Sequence, residues 1–297
     1  MLDCCNLCPH NCGVNRMIGE LGYCGSPNNM VIARYSLHMW EEPCISGSKG
    51  SGTIFFSYCN MKCIFCQNYE ISTLHKGRMV SVEEFSNICL KLQSKGAHNI
   101  NLVTGTMYVP FIVDGIELAK KKGLKIPIIY NTSSYENVDT IKMLDGIVDV
   151  YLPDLKYYDD SLAIKYSNCK DYFKYASSAI DEMYNQVGNP VFDKNGIIKK
   201  GIIVRHLILP NNTSDSKNIL KYLYDKYKDN IIISIMNQYT PIRKLDFSEL
   251  NRKIKDSEYD DVVNYAFDLG IRKAYIQEGE TQSESFIPDF NDFDGIK

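Results

Sequence analysis

The stretch TIFFSYCNMKCIFCQNY, residues 53–69, joins a short apolar run to three closely spaced cysteines. Residues 53–58 are of strand type, built from aromatic and β-branched side chains. Cys59, Cys63 and Cys66 follow at once. At i, i+4 and i+7 they would share one stripe of a helix, but a strand directly before them points to a loop. A structural zinc site takes four protein ligands. No histidine lies close enough in sequence to complete one; the nearest, His75, is nine residues past Cys66. Thiolates suit iron–sulfur clusters, and a cubane held by three cysteines keeps one iron open to an exchangeable ligand. The triplet is read as such an open cluster site.

Working outward, helix and strand patterns alternate. Residues 82–96, 109–123, 136–146, 215–228 and 257–269 read as helices. Residues 99–105, 126–131, 147–156, 200–210, 230–239 and 271–277 read as strands, nearly all apolar. Near-continuous apolar strands between helices indicate a parallel sheet covered by helices. About six such repeats predict an α/β fold, a partial (β/α)6 barrel of the TIM type. A doubly wound sheet is the rival, weakened because no phosphate-binding glycine fingerprint follows the first strand. Residues 157–199 form a long excursion, tyrosine-rich and ending in VFDKNGII, a hairpin with an Asn-Gly turn. Residues 1–52, rich in Cys, Gly, Asn and Pro, are read as a cysteine-rich N-terminal extension, with the barrel over 53–297.

The chain has 297 residues and a formal net charge of −3, which argues against a general nucleic-acid binder. No apolar run is long enough for a membrane helix. The opening MLDCCNLCPH lacks the basic and apolar regions of a signal peptide, so the expectation is a cytoplasmic protein with no membrane partner. Eleven cysteines in a reducing compartment point to metal more than to disulfides. Cys5, Cys8, Cys12 and Cys24 fit either structural zinc or a second iron–sulfur cluster, with Cys4 and Cys44 as substitute ligands. Cys89 and Cys169 sit in helix-like stretches and read as core residues.

The C-x-x-x-C-x-x-C of Cys59, Cys63 and Cys66 after a first strand, with Phe65 before the last cysteine, resembles the radical S-adenosylmethionine (SAM) superfamily. CNLCPHNCGVNR, EEPCISG, YNTS, YLPDLKYYD, VRHLILP and NQYTP resemble, within it, a subgroup of uncharacterised iron–sulfur proteins related to pyruvate formate-lyase-activating enzyme. The resemblance implies a 4Fe-4S cluster on the three cysteines, with SAM on its open iron. Reductive cleavage of SAM would give a 5′-deoxyadenosyl radical that abstracts hydrogen from a substrate. It also implies a flavodoxin- or ferredoxin-type electron donor, an oxygen-free setting and, as one option, a glycyl-radical protein as substrate. Modification of a small molecule or peptide, and a non-catalytic electron carrier, are the alternatives.

Residue by residue, the resemblance places Asp154 and Lys156 beside the SAM carboxylate and Asn131 and Thr132 on the approach to SAM. Arg205 would meet the SAM carboxylate or the substrate, and Asn237 and Gln238 the adenine. The superfamily's Gly-Gly-Glu stretch is replaced here by TGTMYVP, residues 104–110, so Thr104, Thr106 or backbone carbonyls are expected at the SAM amine. Tyr157, Tyr158 and Tyr166 are expected either to border a side opening and face a macromolecular substrate or to pack the excursion onto the barrel.

Overall fold

Apolar strands bury both faces only when helices cover the sheet on either side. The computed structural model, which describes residues 1–277 and 288–296, has that arrangement. After an irregular N-terminal segment come β1 (Met30–His38), a short α1 (Pro43–Ser46) and β2 (Ser51–Phe56). The cysteine loop leads through α2 (Tyr69–Ser72) and β3 (Arg78–Val80) to α3 (Val82–Ser94) and β4 (Ile100–Val103). Next are α4 (Val109–Lys121), β5 (Ile128–Thr132), α5 (Val138–Lys142) and β6 (Val150–Pro153). The excursion holds α6 (Asp160–Ser167), α7 (Tyr172–Val187) and β7 (Val191–Phe192). β8 (Ile198–Leu207), α8 (Thr213–Tyr227), β9 (Ile232–Met236), α9 (Asp256–Leu269), β10 (Ala274–Ile276) and β11 (Asp294–Gly295) complete it.

In space the strands run β10-β9-β8-β6-β5-β4-β2-β1-β11, with β3 on β1 and β7 on β8. Every pairing from β2 to β10 along this path is parallel. Among the described residues no pairing joins the two ends, so the parallel α/β sheet predicted from the sequence is open and not a closed barrel. The division drawn between residues 52 and 53 falls inside β2. Residues 30–38, which show no strand alternation, form β1, antiparallel to β2. Met30 to Ala33 are all buried, and the register shifts between Ile32 and Arg34, so no period-two signal survives.

Local chemistry explains the helix positions. Ser81 caps α3 by accepting from the Glu84 N–H at 3.1 Å. α4 packs on α3 where Gly115 meets Phe85; a Cβ at 115 would collide with that ring. The β7–β8 hairpin turns at Gly196, φ +76°, while Asp193 Oδ1 accepts from the N–H groups of Asn195 and Ile197.

The tyrosines of the excursion divide. Tyr157 and Tyr166 are each 1% exposed and face inward; of the three tyrosines only Tyr158 is exposed. Tyr157 Oη lies 2.7 Å from Ser167 Oγ, and Tyr166 donates to Glu249 at 2.7 Å. Both belong to the main apolar core. Cys44 lies in an apolar cluster with Ile45, Ile129 and Val150, which removes it as a substitute metal ligand. Cys89 and Cys169 are buried, as expected.

Candidate active site

The carboxyl ends of the parallel strands surround a cavity of about 460 Å³. Ligands in open α/β sheets bind at this end because loops and unpaired strand termini supply polar groups there. Cys59, Cys63, Phe65, Cys66, Asn131, Thr132, Asp154, Lys156, Arg205 and Gln238 all line it. Asn237 does not; its backbone N–H donates to Gln277 Oε1 at 2.8 Å.

The cysteine loop leaves β2 through Tyr58, at φ +70° a left-handed conformation costly for an aromatic residue. Its neighbours hold it there. Tyr58 N–H donates to the Ile71 carbonyl at 2.8 Å, and Ile64 N–H to the Tyr166 carbonyl at 2.9 Å. Each thiol has a polar neighbour. Met61 N–H donates to Cys59 Sγ at 3.4 Å, Ser167 Oγ lies 3.0 Å from Cys63 Sγ, and Ser72 Oγ lies 3.3 Å from Cys66 Sγ. Burial raises the Cys59 thiol, and raises Cys63 to about 11 although Lys156 opposes the rise. Phe65 packs edge-on against Tyr239, closing one wall.

The donor set fits an open iron–sulfur cluster. Three thiols share one cavity. Thiolates are the ligands that iron–sulfur clusters take.

Opposite the thiols, Lys156 Nζ donates to Asp154 Oδ2 at 2.6 Å. Burial disfavours the ammonium, but Asp154 and the Cys63 and Cys66 thiols outweigh it, and Lys156 titrates above its ordinary range. Tyr172 ties the adjacent strand ends together. Its hydroxyl accepts the Lys156 N–H at 2.9 Å and lies 2.9 and 3.0 Å from the Ser133 and Asp154 carbonyls.

The TGT turn after β4 is strained. Thr104 lines the cavity at φ +61°, a genuine outlier for a β-branched residue. Its N–H donates to the Asn131 carbonyl at 2.9 Å. Thr106 is not free for a ligand: its hydroxyl donates to Glu136 Oε1 at 2.7 Å. Thr132 and Tyr130 donate to the same oxygen, so one buried carboxylate ties the turn after β4 to the end of β5. Burial lifts Glu136 to about 7 against those three donors. Sequence reading missed Glu136 because it belongs to no motif; only the fold brings its donors together.

Arg205 is also engaged. Its Nε and Nη2 grip Glu42 as a fork at 2.9 and 2.8 Å, and Nη2 contacts Glu41 as well. Expected to meet the SAM carboxylate or the substrate, the guanidinium instead spans two carboxylates. Glu41 and Glu42 open the EEPCISG stretch but carried no expected role of their own.

All eleven cysteines are unbonded. Cys5, Cys8, Cys12 and Cys24 do not line the cavity. Arg16, buried beside them, donates to the Met107 carbonyl at 2.8 Å. Met107 is thus covered by the N-terminal segment.

Residues 53–191 match the family model of the Radical SAM superfamily. That superfamily brings SAM and an iron–sulfur cluster as its cofactors. An uncharacterized protein of Methanocaldococcus jannaschii is 28% identical over 272 residues, 88% of this chain and 74% of that protein. A pyruvate formate-lyase-activating enzyme of Clostridium pasteurianum is 24% identical over 244 residues, 77% of this chain and 92% of that enzyme. The solved structure of hexahistidine-tagged anSMEcpe with bound AdoMet aligns with TM-score 0.50 and 16% identity, over 74% of this chain and 60% of that one, a likeness of fold. No helix among the described residues is long and apolar enough to cross a membrane.

Proposed function

We propose that the chain is an oxidoreductase of the radical SAM type. The supporting observation is one cavity that joins Cys59, Cys63 and Cys66 to the polar ends of β5, β6 and β9. The three cysteines would hold a 4Fe-4S cluster and leave one iron for the amino and carboxylate groups of SAM. When bound, that cluster supplies the electron for cleaving SAM to a 5′-deoxyadenosyl radical that takes hydrogen from the substrate.

The chain's own groups bind and shield. Lys156, fixed by Asp154, offers a buried cation to the SAM carboxylate. The SAM amine meets the turn at Thr104, whose conformation Glu136 holds through Thr106 and Thr132. Gln238 faces the adenine. Met61, Phe65, Val103 and Leu207 make the remaining wall apolar, which keeps water from a reactive carbon. Arg205 belongs to the wall, because Glu41 and Glu42 already neutralise it.

For the substrate, likeness to pyruvate formate-lyase-activating enzyme supports a glycyl-radical protein, with a flavodoxin- or ferredoxin-type donor. Radical modification of a small molecule or peptide is the second reading, favoured by the burial of Tyr157 and Tyr166. Electron paramagnetic resonance separates these. Reduced, anaerobically reconstituted protein should change its cluster signal when SAM is added. With SAM and a candidate glycyl-radical protein, a glycyl doublet supports activation. SAM turnover driven only by a small-molecule fraction supports the second reading, and an unchanged cluster signal with SAM overturns both.

A further inference from the structure

His38, Trp40, Glu41, Glu42 and Tyr275 line the cavity but have no part in the SAM reading. The two acids are fixed by the short helix they precede. Ile45 and Ser46 N–H donate to the Glu42 carbonyl at 2.7 and 3.1 Å, and Glu41 N–H donates to Ser46 Oγ at 3.0 Å. Their shared partner, Arg205, pairs with Asp154 in a parallel bridge between β8 and the end of β6. The acids therefore adjoin the Asp154–Lys156 pair that would meet the SAM carboxylate.

The charges at this end do not balance. One guanidinium serves two carboxylates, and both carboxylates are less than a tenth exposed. Among the described residues neither acid pairs with any other cation. Burial opposes the Glu42 charge, but Arg205 outweighs it and keeps the carboxyl below its ordinary range. The Asn101 amide that donates to Glu41 is neutral. His38 adds no charge near neutrality, because burial lowers it. An unmatched negative charge held this far from water is costly until a cation meets it. A carboxylate offers about four acceptor positions, and Glu41 uses one on each oxygen, so it can accept further donors.

Trp40 supplies a complementary surface. It is the chain's one tryptophan, it precedes Glu41, and it lines the cavity while 62% exposed. An indole face attracts cations more strongly than other aromatic rings do. Surplus carboxylate and exposed indole together suit an ammonium or a guanidinium, whose N–H groups bond the acid while its charge lies over the ring.

We propose that Glu41, backed by Glu42 and Trp40, binds a positively charged group of the substrate, an ammonium or a guanidinium, and so selects cationic substrates. The assignment deepens the radical SAM reading and rests on it for the reaction, though not for the binding preference. An acidic substrate would meet like charge at the same place and be rejected.

The test is isothermal titration calorimetry on the full chain, reconstituted anaerobically with iron and sulfide, with and without SAM. The probes are pairs matched in shape and differing in charge. N-acetyl-arginine amide and N-acetyl-lysine amide should bind at least about tenfold more tightly than N-acetyl-citrulline amide and N-acetyl-norleucine amide. Equal affinities within both pairs, or no binding by any probe, overturn the proposal. In Glu41→Gln the preference should fall to about twofold or less. An intact preference in folded Glu41→Gln overturns the assignment, and so does one in Trp40→Leu if Glu41→Gln does not fold. Loss of SAM affinity in Glu41→Gln with the probe preference intact would give the charge to SAM and also overturn it. Tighter binding of acetyl-Gly-Lys-Gly-amide than of free lysine supports a chain-borne cation, and the reverse order supports a free amine. Failure of SAM cleavage with the wild-type preference intact would sink the radical SAM reading alone.

Discussion

Replacing Arg205 by methionine tests how the cavity wall is held. The guanidinium makes a two-point grip on Glu42 and a further contact to Glu41, whose other oxygen accepts from Asn101 Nδ2 at 2.9 Å. The side chains of Arg205, Glu41 and Glu42 keep only 13%, 8% and 6% of their surface exposed. Methionine preserves an apolar stem but strands two adjacent carboxylates without a cation. Removing one partner of a buried pair costs about 3–5 kcal/mol, chiefly through the uncompensated charge left behind. Against a whole-domain stability of about 5–15 kcal/mol that is a large fraction. Urea unfolding followed by circular dichroism at neutral pH supplies the assay. Arg205→Met should lose at least about 3 kcal/mol, and Arg205→Met/Glu42→Gln should regain about 1–2 kcal/mol by removing one stranded charge. A loss below about 1 kcal/mol, the range of exposed ion pairs, would refute the wall assignment and return Arg205 to the set of ligand-binding cations.

The other predictions concern packing, pH and SAM. Gly115→Ala should destabilise by about 1–3 kcal/mol because its Cβ meets the buried Phe85 ring; an unchanged urea midpoint would argue against the α3–α4 contact. Glu136 is raised by burial to about 7, so the stability it contributes is present below the ordinary glutamate range and lost as pH rises toward 7. Glu136→Gln should flatten that stretch of the stability–pH curve, and parallel curves would exclude Glu136 as the source. Lys156→Met should weaken SAM binding about tenfold or more, roughly 1.4 kcal/mol, as read by equilibrium dialysis; unaltered affinity would remove Lys156 from the site.

The parallel α/β architecture was legible because helix and strand periods alternate cleanly after residue 81. β1 was not, since full burial and a register shift erased its alternation. The cavity-lining residues after strands were legible because a parallel sheet places its strand ends together. Asn237, one position from Gln238, does not line the cavity, because which of two successive residues does so depends on register that a sequence pattern leaves open. Glu41, Glu42 and Glu136 stayed hidden because their partners lie far along the chain or across a turn. Whether Tyr157 and Tyr166 pack inward or face a partner was open in the sequence, because their contacts with Ser167 and Glu249 exist only in the folded chain.

The central claim is that one cavity unites a three-cysteine cluster with SAM. Its most direct test is chromatography for 5′-deoxyadenosine after anaerobic reconstitution and addition of SAM and dithionite. Wild type should form 5′-deoxyadenosine and methionine, and Cys63→Ala should form neither while staying folded. No 5′-deoxyadenosine from wild type with full iron occupancy, or equal amounts from Cys63→Ala, would contradict the account.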